Sequence, residues 1–305
     1  MHEGVARPLP LHSAQMEANF RMIKRASVAL FVSSVLLAGC STDKKASAAQ
    51  PAAAREGSVA PRQSVVTAPT QPYRVAAVVG GGRLTGTIDF EGVVPRDSTI
   101  TLPADQSGCG PSVTGRPVEI NGTKVGGAVV WLTDIRTGKA FPLHRRFELV
   151  NADCQLNPQV QAVFVTGTLN VASEDVAMHH DRIVNVGTGE TEAIAPFNDN
   201  GEVVPFDRLL DKPAELEVTC DLHPWSKAHI LVFDHPYFAM SEKSGSFSID
   251  DIPAGSYRVK SWHPRLGVAE ETVTITAGQT ALLSLKLVAL PVQAPPPPPP
   301  AAVPR

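Results

Sequence analysis

A cysteine and a histidine stand three positions apart in the segment Cys220-Asp221-Leu222-His223, directly after a β-rich run that ends at Thr219. A second imidazole, that of His179, lies upstream in a polar, aspartate-containing stretch. One thiolate and two imidazoles form the donor set of a mononuclear electron-transfer copper site, because the soft thiolate bonds strongly to copper and imidazole is also a good ligand for it. The sequence therefore predicts one copper ion bound by His179, Cys220 and His223.

Three points about this site stay open in the sequence. Either member of the pair His179-His180 can supply the upstream nitrogen, and His179 is the preferred choice. A buried cysteine is also an ordinary core residue, so the Cys-x-x-His spacing has a purely structural explanation as well. The weak axial methionine common in such sites is missing from the loop, where Ser226 stands. The axial position is therefore either without a ligand or filled by Met178 or His229.

The N-terminal forty residues carry the pattern of an export signal. A basic start at residues 22–25 precedes an apolar run over residues 26–37, which ends in small residues before Cys40. The run is shorter than the ~20 residues that a membrane span requires. Residues 37–40, Leu-Ala-Gly-Cys, resemble the bacterial lipobox, which implies lipidation of Cys40, and Ser41 after it favours the outer membrane over the inner one. We expect a periplasmic protein held to a membrane by lipid.

The use of the four cysteines agrees with export. With Cys40 assigned to lipid and Cys220 to metal, Cys109 and Cys154 remain. An oxidising compartment allows these two to pair in a disulfide. The alternative is that both are free, buried thiols.

Charge and motifs argue against two classes of function. The net charge is −3 and lysine or arginine never occur more than two in a row, so we expect no nucleic-acid binding. The chain has no Gly-x-Ser-x-Gly elbow, no His-Glu-x-x-His motif and no phosphate-binding loop. We therefore expect a protein that is not an enzyme.

Short strand patterns separated by Gly, Pro, Asn and Asp predict an all-β fold of sandwiches or barrels. The clearest patterns span residues 83–90, 126–132, 160–165, 228–233, 245–249, 256–262, 271–275 and 280–287. A turn of helix is expected only over residues 203–210. The predicted organisation is a signal region (1–40), a flexible tether (41–80), a metal-binding sandwich (81–235), a small second sandwich (236–290) and a Pro-rich tail (291–305).

Several strings together resemble the cupredoxin-like periplasmic proteins that carry a carboxypeptidase-regulatory-like domain, also described as methylamine-utilisation or plastocyanin-like proteins. These strings are residues 129–132, 151–163, 175–179, 220–225, 232–238, 251–257 and 262–263. The resemblance covers about residues 84–287. It implies a cupredoxin-like Greek-key β-sandwich followed by a small regulatory-like β-sandwich.

For the site, the resemblance implies His179, Cys220 and His223 as copper ligands and electron transfer as the function. We expect a redox partner such as a c-type cytochrome. The alternatives are copper storage or delivery, and a surface lipoprotein module that binds a carbohydrate or protein without metal.

Overall fold

The computed structural model describes residues 62–96, 98–102, 108–115 and 118–288. The export signal, Cys40, the first part of the predicted tether and the Pro-rich tail lie outside these residues. Apart from a short 3₁₀ turn at Gly108 and Cys109, the secondary-structure elements of the described part are β-strands, which confirms the predicted all-β class. Within the same part of the chain, no helix is long and apolar enough to cross a membrane.

The strands are β1 (Arg74–Val75), β2 (Gly82–Glu91), β3 (Thr99–Thr101), β4 (Ser112–Thr114), β5 (Ile120–Asn121), β6 (Lys124–Val125), β7 (Val129–Leu132), β8 (Thr137–Gly138), β9 (Arg146–Ala152), β10 (Gln155–Asn157), β11 (Val160–Phe164), β12 (Thr168–Ser173), β13 (His179–Asn185), β14 (Thr191–Phe197), β15 (Val203–Phe206), β16 (Ala214–Cys220), β17 (Lys227–Phe233), β18 (Phe238–Met240), β19 (Ser246–Ile252), β20 (Gly255–His263), β21 (Gly267–Ile275) and β22 (Thr280–Val288).

Two sheets form the sandwich that supports the predicted ligands, here called the site sandwich. Their strand orders are β10-β9-β12-β15 and β11-β17-β16-β13-β14. Side chains alternate along these strands, so each sheet turns one row of apolar residues towards the other. Leu149 and Val171 from the first sheet and Ile183, Val218 and Ile230 from the second belong to one buried cluster. This core fixes the sheet from which the ligands project.

The helical turn expected over residues 203–210 is not formed. Residues 203–206 instead make β15, which pairs antiparallel with β12 from Leu169↔Phe206 to Ala172↔Val203. This edge position gives the backbone of the segment regular hydrogen-bond partners that a single helical turn would lack.

A second sandwich combines both ends of the described chain. Its sheets have the orders β18-β7-β20-β21 and β19-β2-β6-β5, with β22 also paired to β2. Gly86 in β2 lies so close to the carbonyl of Leu283 in β22 that any Cβ there would collide with it. The second sandwich therefore extends across the predicted domain boundary at residues 235–236, because β2 lies before that boundary and its partners β19 and β22 lie after it. Buried side chains from Leu84 to Leu132 form one core with those from Tyr237 to Leu287, and the site sandwich, residues 146–233, lies between these two stretches in the sequence.

The second sandwich is closed by a fully buried tyrosine, Tyr237. Its hydroxyl donates to the carbonyl of Asp251 (3.0 Å) and accepts from the backbone N–H of Lys139 (2.8 Å). The absence of a side chain at Gly138 lets the Tyr237 hydroxyl approach the backbone there. The phenol thus links the backbone at the end of β8 to β19 through two hydrogen bonds made from within the core.

The tether prediction is wrong for its described part. Val65 and Val66 pack against a third buried cluster made of Val129, Trp131, Leu231, Phe233 and Trp262. The backbone N–H of Val65 donates to Glu215 (2.8 Å), and β1 pairs in parallel with β8. Apolar contacts and backbone hydrogen bonds therefore hold this segment against the folded part of the chain. Its Ala- and Pro-rich composition had instead predicted a flexible tether.

Candidate metal centre

The ends of two neighbouring strands bring the three predicted ligands together. β13 begins at His179 and β16 ends at Cys220, and the two strands run antiparallel as direct neighbours. The chain then turns sharply, with the backbone N–H of His223 donating to the carbonyl of Cys220 (3.2 Å). This turn folds the His223 imidazole back towards the thiol.

The three donor atoms form a small buried triangle. The Nδ1 atoms of His179 and His223 lie 3.6 and 3.5 Å from Cys220 Sγ and 3.1 Å from each other. All three side chains are buried. One ion bonded to sulfur at about 2.3 Å and to nitrogen at about 2.0 Å separates such donors by roughly 3.3 to 3.8 Å. The triangle is therefore within a few tenths of an ångström of what a single metal ion needs.

Strand alternation separates the two adjacent histidines. His179 faces the core, while the side chain of His180 is 38% exposed and its Nδ1 lies 2.7 Å from Asp221 Oδ2. Successive side chains of a strand point to opposite faces, so only one of the pair can join Cys220. The backbone N–H of His180 still reaches the site, because it donates to Cys220 Sγ (3.4 Å).

Asp175 orients the first histidine. Its Oδ2 lies 3.0 Å from His179 Nε2 and also accepts the backbone N–H of Cys154 (2.9 Å). A carboxylate on one ring nitrogen fixes the tautomer and directs the other nitrogen to the metal. Asp175 was not among the predicted site residues, although its position four residues before His179 in the same turn was a usable signal.

Burial controls the protonation of the thiol. It raises the pKa of Cys220 to about 11, and the nearby Asp181 carboxylate adds to this rise. Asp181 is itself fully buried and accepts from Asn151 Nδ2 (2.6 Å), and burial raises its pKa as well. At neutral pH the metal-free site therefore holds a thiol, which a bound cation would have to deprotonate.

The second histidine is neutral and covered. Burial, followed by the influence of His179, lowers the pKa of His223 to about 4, which leaves Nδ1 free to act as a ligand near pH 7. The ring centroid of Trp225 lies 5.2 Å from that of His223, and the indole N–H donates to the carbonyl of Cys154 (3.0 Å). Trp225 thus packs the ligand turn against the segment that carries Cys154.

Cys109 and Cys154 are joined by a disulfide, which lies against the same histidine. Cys109 Sγ is 3.3 Å from His223 Nε2. The sequence suggested the pairing but did not indicate that the disulfide would border the predicted ligands. Gly108 packs closely on Ala177, so this segment covers the turn that precedes His179.

Neither candidate for an axial ligand lies in the buried triangle. Met178 is 58% exposed, because it precedes the inward-facing His179. The ring of His229 lies beside Trp262, with 5.6 Å between their centroids. At the position where a methionine was sought, the hydroxyl of Ser226 accepts the backbone N–H of Leu156 (2.8 Å) and so has a structural role.

A family model described as polysaccharide lyase family 4, domain II, matches residues 225–283. This is a different family from the carboxypeptidase-regulatory-like one that the motifs resemble. The match covers a minor part of the chain, from the ligand turn into the second sandwich. None of the curated proteins matches the sequence.

Several solved copper proteins are similar to part of the chain. A purple cupredoxin from Nitrosopumilus maritimus is 14% identical over 28% of this chain and 98% of its own, with a TM-score of 0.24. Amicyanin from Paracoccus versutus is 10% identical over 30% of this chain and 84% of its own, with a TM-score of 0.25.

A copper-containing nitrite reductase from Thermus scotoductus SA-01 is 21% identical over 37% of this chain, with a TM-score of 0.26. The match spans only 24% of that enzyme's length. Because identities and TM-scores are this low, the case for a metal depends on the donor geometry of the site and not on these similarities.

Proposed function

We propose that this protein binds one copper ion through His179, Cys220 and His223 and carries single electrons without catalysing a reaction. The observation that carries the proposal is the buried triangle of one sulfur and two Nδ1 atoms, 3.1 to 3.6 Å apart. This donor set, with soft sulfur and two imidazoles, is the one that electron-transfer copper sites use.

The surrounding residues favour a rigid site. Cys220 and His179 sit at the ends of paired strands, and Asp175 holds the far nitrogen of His179 at 3.0 Å. The backbone N–H of His180 points at the sulfur, where it would stabilise negative charge on a thiolate. Copper bound there would supply a centre that gains and loses one electron, and fixed ligands would limit the rearrangement that accompanies each transfer.

We further propose a location and a partner. The export pattern and the lipobox-like sequence before Cys40 support a periplasmic protein anchored by lipid, with Ser41 favouring the outer membrane. A soluble or anchored redox protein such as a c-type cytochrome is the partner that this setting suggests.

A second function, storage or delivery of Cu(I), is supported by the axial position. Met178 is mostly exposed and Met240 packs in the third cluster, so neither of these methionines has its side chain in the buried triangle. A site with only one sulfur and two nitrogens suits Cu(I), which accepts low coordination numbers.

Optical and paramagnetic-resonance spectra of the protein titrated with Cu(II) test the proposal, with Cys40→Ser used to prevent lipidation. An intense visible charge-transfer band with narrow copper hyperfine splitting is expected at one copper per chain. The matched variant Cys220→Ser should lose this band and remain folded. A colourless protein that binds Cu(I) would favour storage or delivery. A folded, reduced protein that binds no copper would refute both and favour a binding module without metal.

A further inference from the structure

His223 has a sulfur atom near each of its ring nitrogens. Its Nδ1 lies 3.5 Å from Cys220 Sγ, and its Nε2 lies 3.3 Å from Cys109 Sγ in the disulfide. The copper triad uses only the Nδ1 side of the ring. The Nε2 side, with Cys109 and Cys154, is therefore a separate group of donors that the proposed function does not employ.

We propose that reduction of the Cys109–Cys154 disulfide creates a second metal site, formed by the two thiolates and His223 Nε2. The donor atoms of these three residues all lie within 4.8 Å of one another. Two thiolates and one imidazole suit a d¹⁰ cation, and Zn(II) is the ion that such sites most commonly hold. This site goes beyond the copper proposal, since it needs neither Cys220 nor electron transfer.

Cys154 remains in position when the disulfide is opened, because its backbone is anchored on both sides. Its N–H donates to Asp175 (2.9 Å) and its carbonyl accepts from the Trp225 indole (3.0 Å). Asp153 and Cys154 both adopt left-handed backbone conformations, with φ of 55° and 54°. Two successive non-glycine residues in this region are costly and mark a turn that its surroundings hold in place.

Cys109 is held by a different element. It lies three residues before β4, which pairs antiparallel with β3 from Thr99↔Thr114 to Thr101↔Ser112. The backbone N–H of Leu102 also donates to the carbonyl of Pro111 (3.0 Å) and extends this pairing towards Cys109. Both thiols therefore stay close to His223 without the covalent bond.

A reductant can reach the disulfide from the side of Cys109, which is half-buried, whereas Cys154 is buried. An open, polar cavity of about 380 Å³ is lined by both cysteines, with Thr114, Gln155 and Asp175 around them. A dithiol reaching this cavity would transfer two electrons and two protons to the disulfide, giving two thiols and leaving its own sulfurs as a disulfide. Zinc binding would then release the two thiol protons.

Zinc titration of a Cys40→Ser/Cys220→Ser chain tests the proposal, because its only cysteines are Cys109 and Cys154. Zinc affinity is measured by competition with a chromophoric chelator, before and after reduction of the disulfide by a phosphine. The phosphine is oxidised to its oxide with oxygen from water, and the two sulfurs gain two electrons and two protons. Reduction should add one zinc site per chain. The control also carries Cys109→Ser and Cys154→Ser. It should bind zinc at least ~10–100-fold more weakly than the reduced chain that keeps both cysteines, because removing even a residue that only hydrogen-bonds to a metal ligand causes a loss of that size.

The proposal is overturned if the reduced protein and its serine control bind zinc equally. It is also overturned if circular dichroism shows that reduction unfolds the protein, because the site requires the anchored turn. A second measurement uses the Cys40→Ser chain with Cys220 intact. After the disulfide has been reduced by the same phosphine, zinc should slow alkylation of Cys109 and Cys154 by iodoacetamide, as read by mass spectrometry. Equal rates with and without zinc would contradict the site. Since the titration omits Cys220 and copper, its failure would leave the copper proposal untouched.

Discussion

Copper binding should compete with a proton on Cys220. Burial raises the pKa of this thiol to about 11, so at pH 7 roughly one molecule in 10⁴ carries the thiolate. Deprotonating the thiol at pH 7 therefore costs about 5 kcal/mol of apparent binding free energy. His223 has a pKa of about 4 and contributes no proton above pH 6. The apparent Cu(I) affinity should accordingly increase about tenfold for each pH unit between pH 7 and 10.

The assay is anaerobic competition for Cu(I) with a chromophoric chelator of known pH dependence, on the Cys40→Ser protein. Cys220→Ser is the matched control and should show a weaker affinity without this slope. An ordinary thiol has a pKa near 8.5, so its curve would flatten above about pH 9. A plateau at pH 9 would show that burial does not raise the thiol pKa. A flat curve throughout would show that the thiolate is not a ligand.

Three further outcomes are expected. His179→Gln should abolish the copper charge-transfer band, whereas His180→Gln, on the outer face of the same strand, should retain it in optical titrations. Tyr237→Phe should lower the free energy of unfolding in urea by about 1–3 kcal/mol, because two part-buried backbone groups lose a hydrogen bond. Burial lowers the pKa of His235 to about 3, so the unfolded chain binds its proton first as the pH falls below about 6.5. The free energy of unfolding, measured in urea, should therefore decrease from pH 6 to pH 4. His235→Gln should make this decrease smaller by about 1.4 kcal/mol per pH unit. An unchanged pH dependence in the variant would contradict a buried, neutral imidazole at His235.

The strands were predictable because their signal is local. Short runs of apolar and β-branched residues between turn residues predicted β2, β17, β20 and β22 to within one or two residues. The helical turn expected at residues 203–210 was wrong, because pairing with the edge of β12 decided that segment. The short Ala- and Pro-rich segment before residue 80 was misjudged for the same reason, since its partners are distant in sequence.

The division into domains could not be obtained from local patterns. β2 pairs in parallel with β22, which lies about two hundred residues later in the chain. The sequence of neither strand indicates which strand it will pair with. A linear reading therefore placed one boundary at residues 235–236, although the second sandwich is built from two separate stretches of the chain.

By itself, the sequence determined the chemistry of the site: which residue types are available, how Cys220 and His223 are spaced, and that two cysteines remain to pair. The tertiary structure alone decided which of His179 and His180 faces inwards, because that depends on the register of β13 against β16. It also placed the disulfide against His223, a contact between segments more than one hundred residues apart in the sequence. The donor types are properties of single residues, whereas their convergence is a property of the packed sheets.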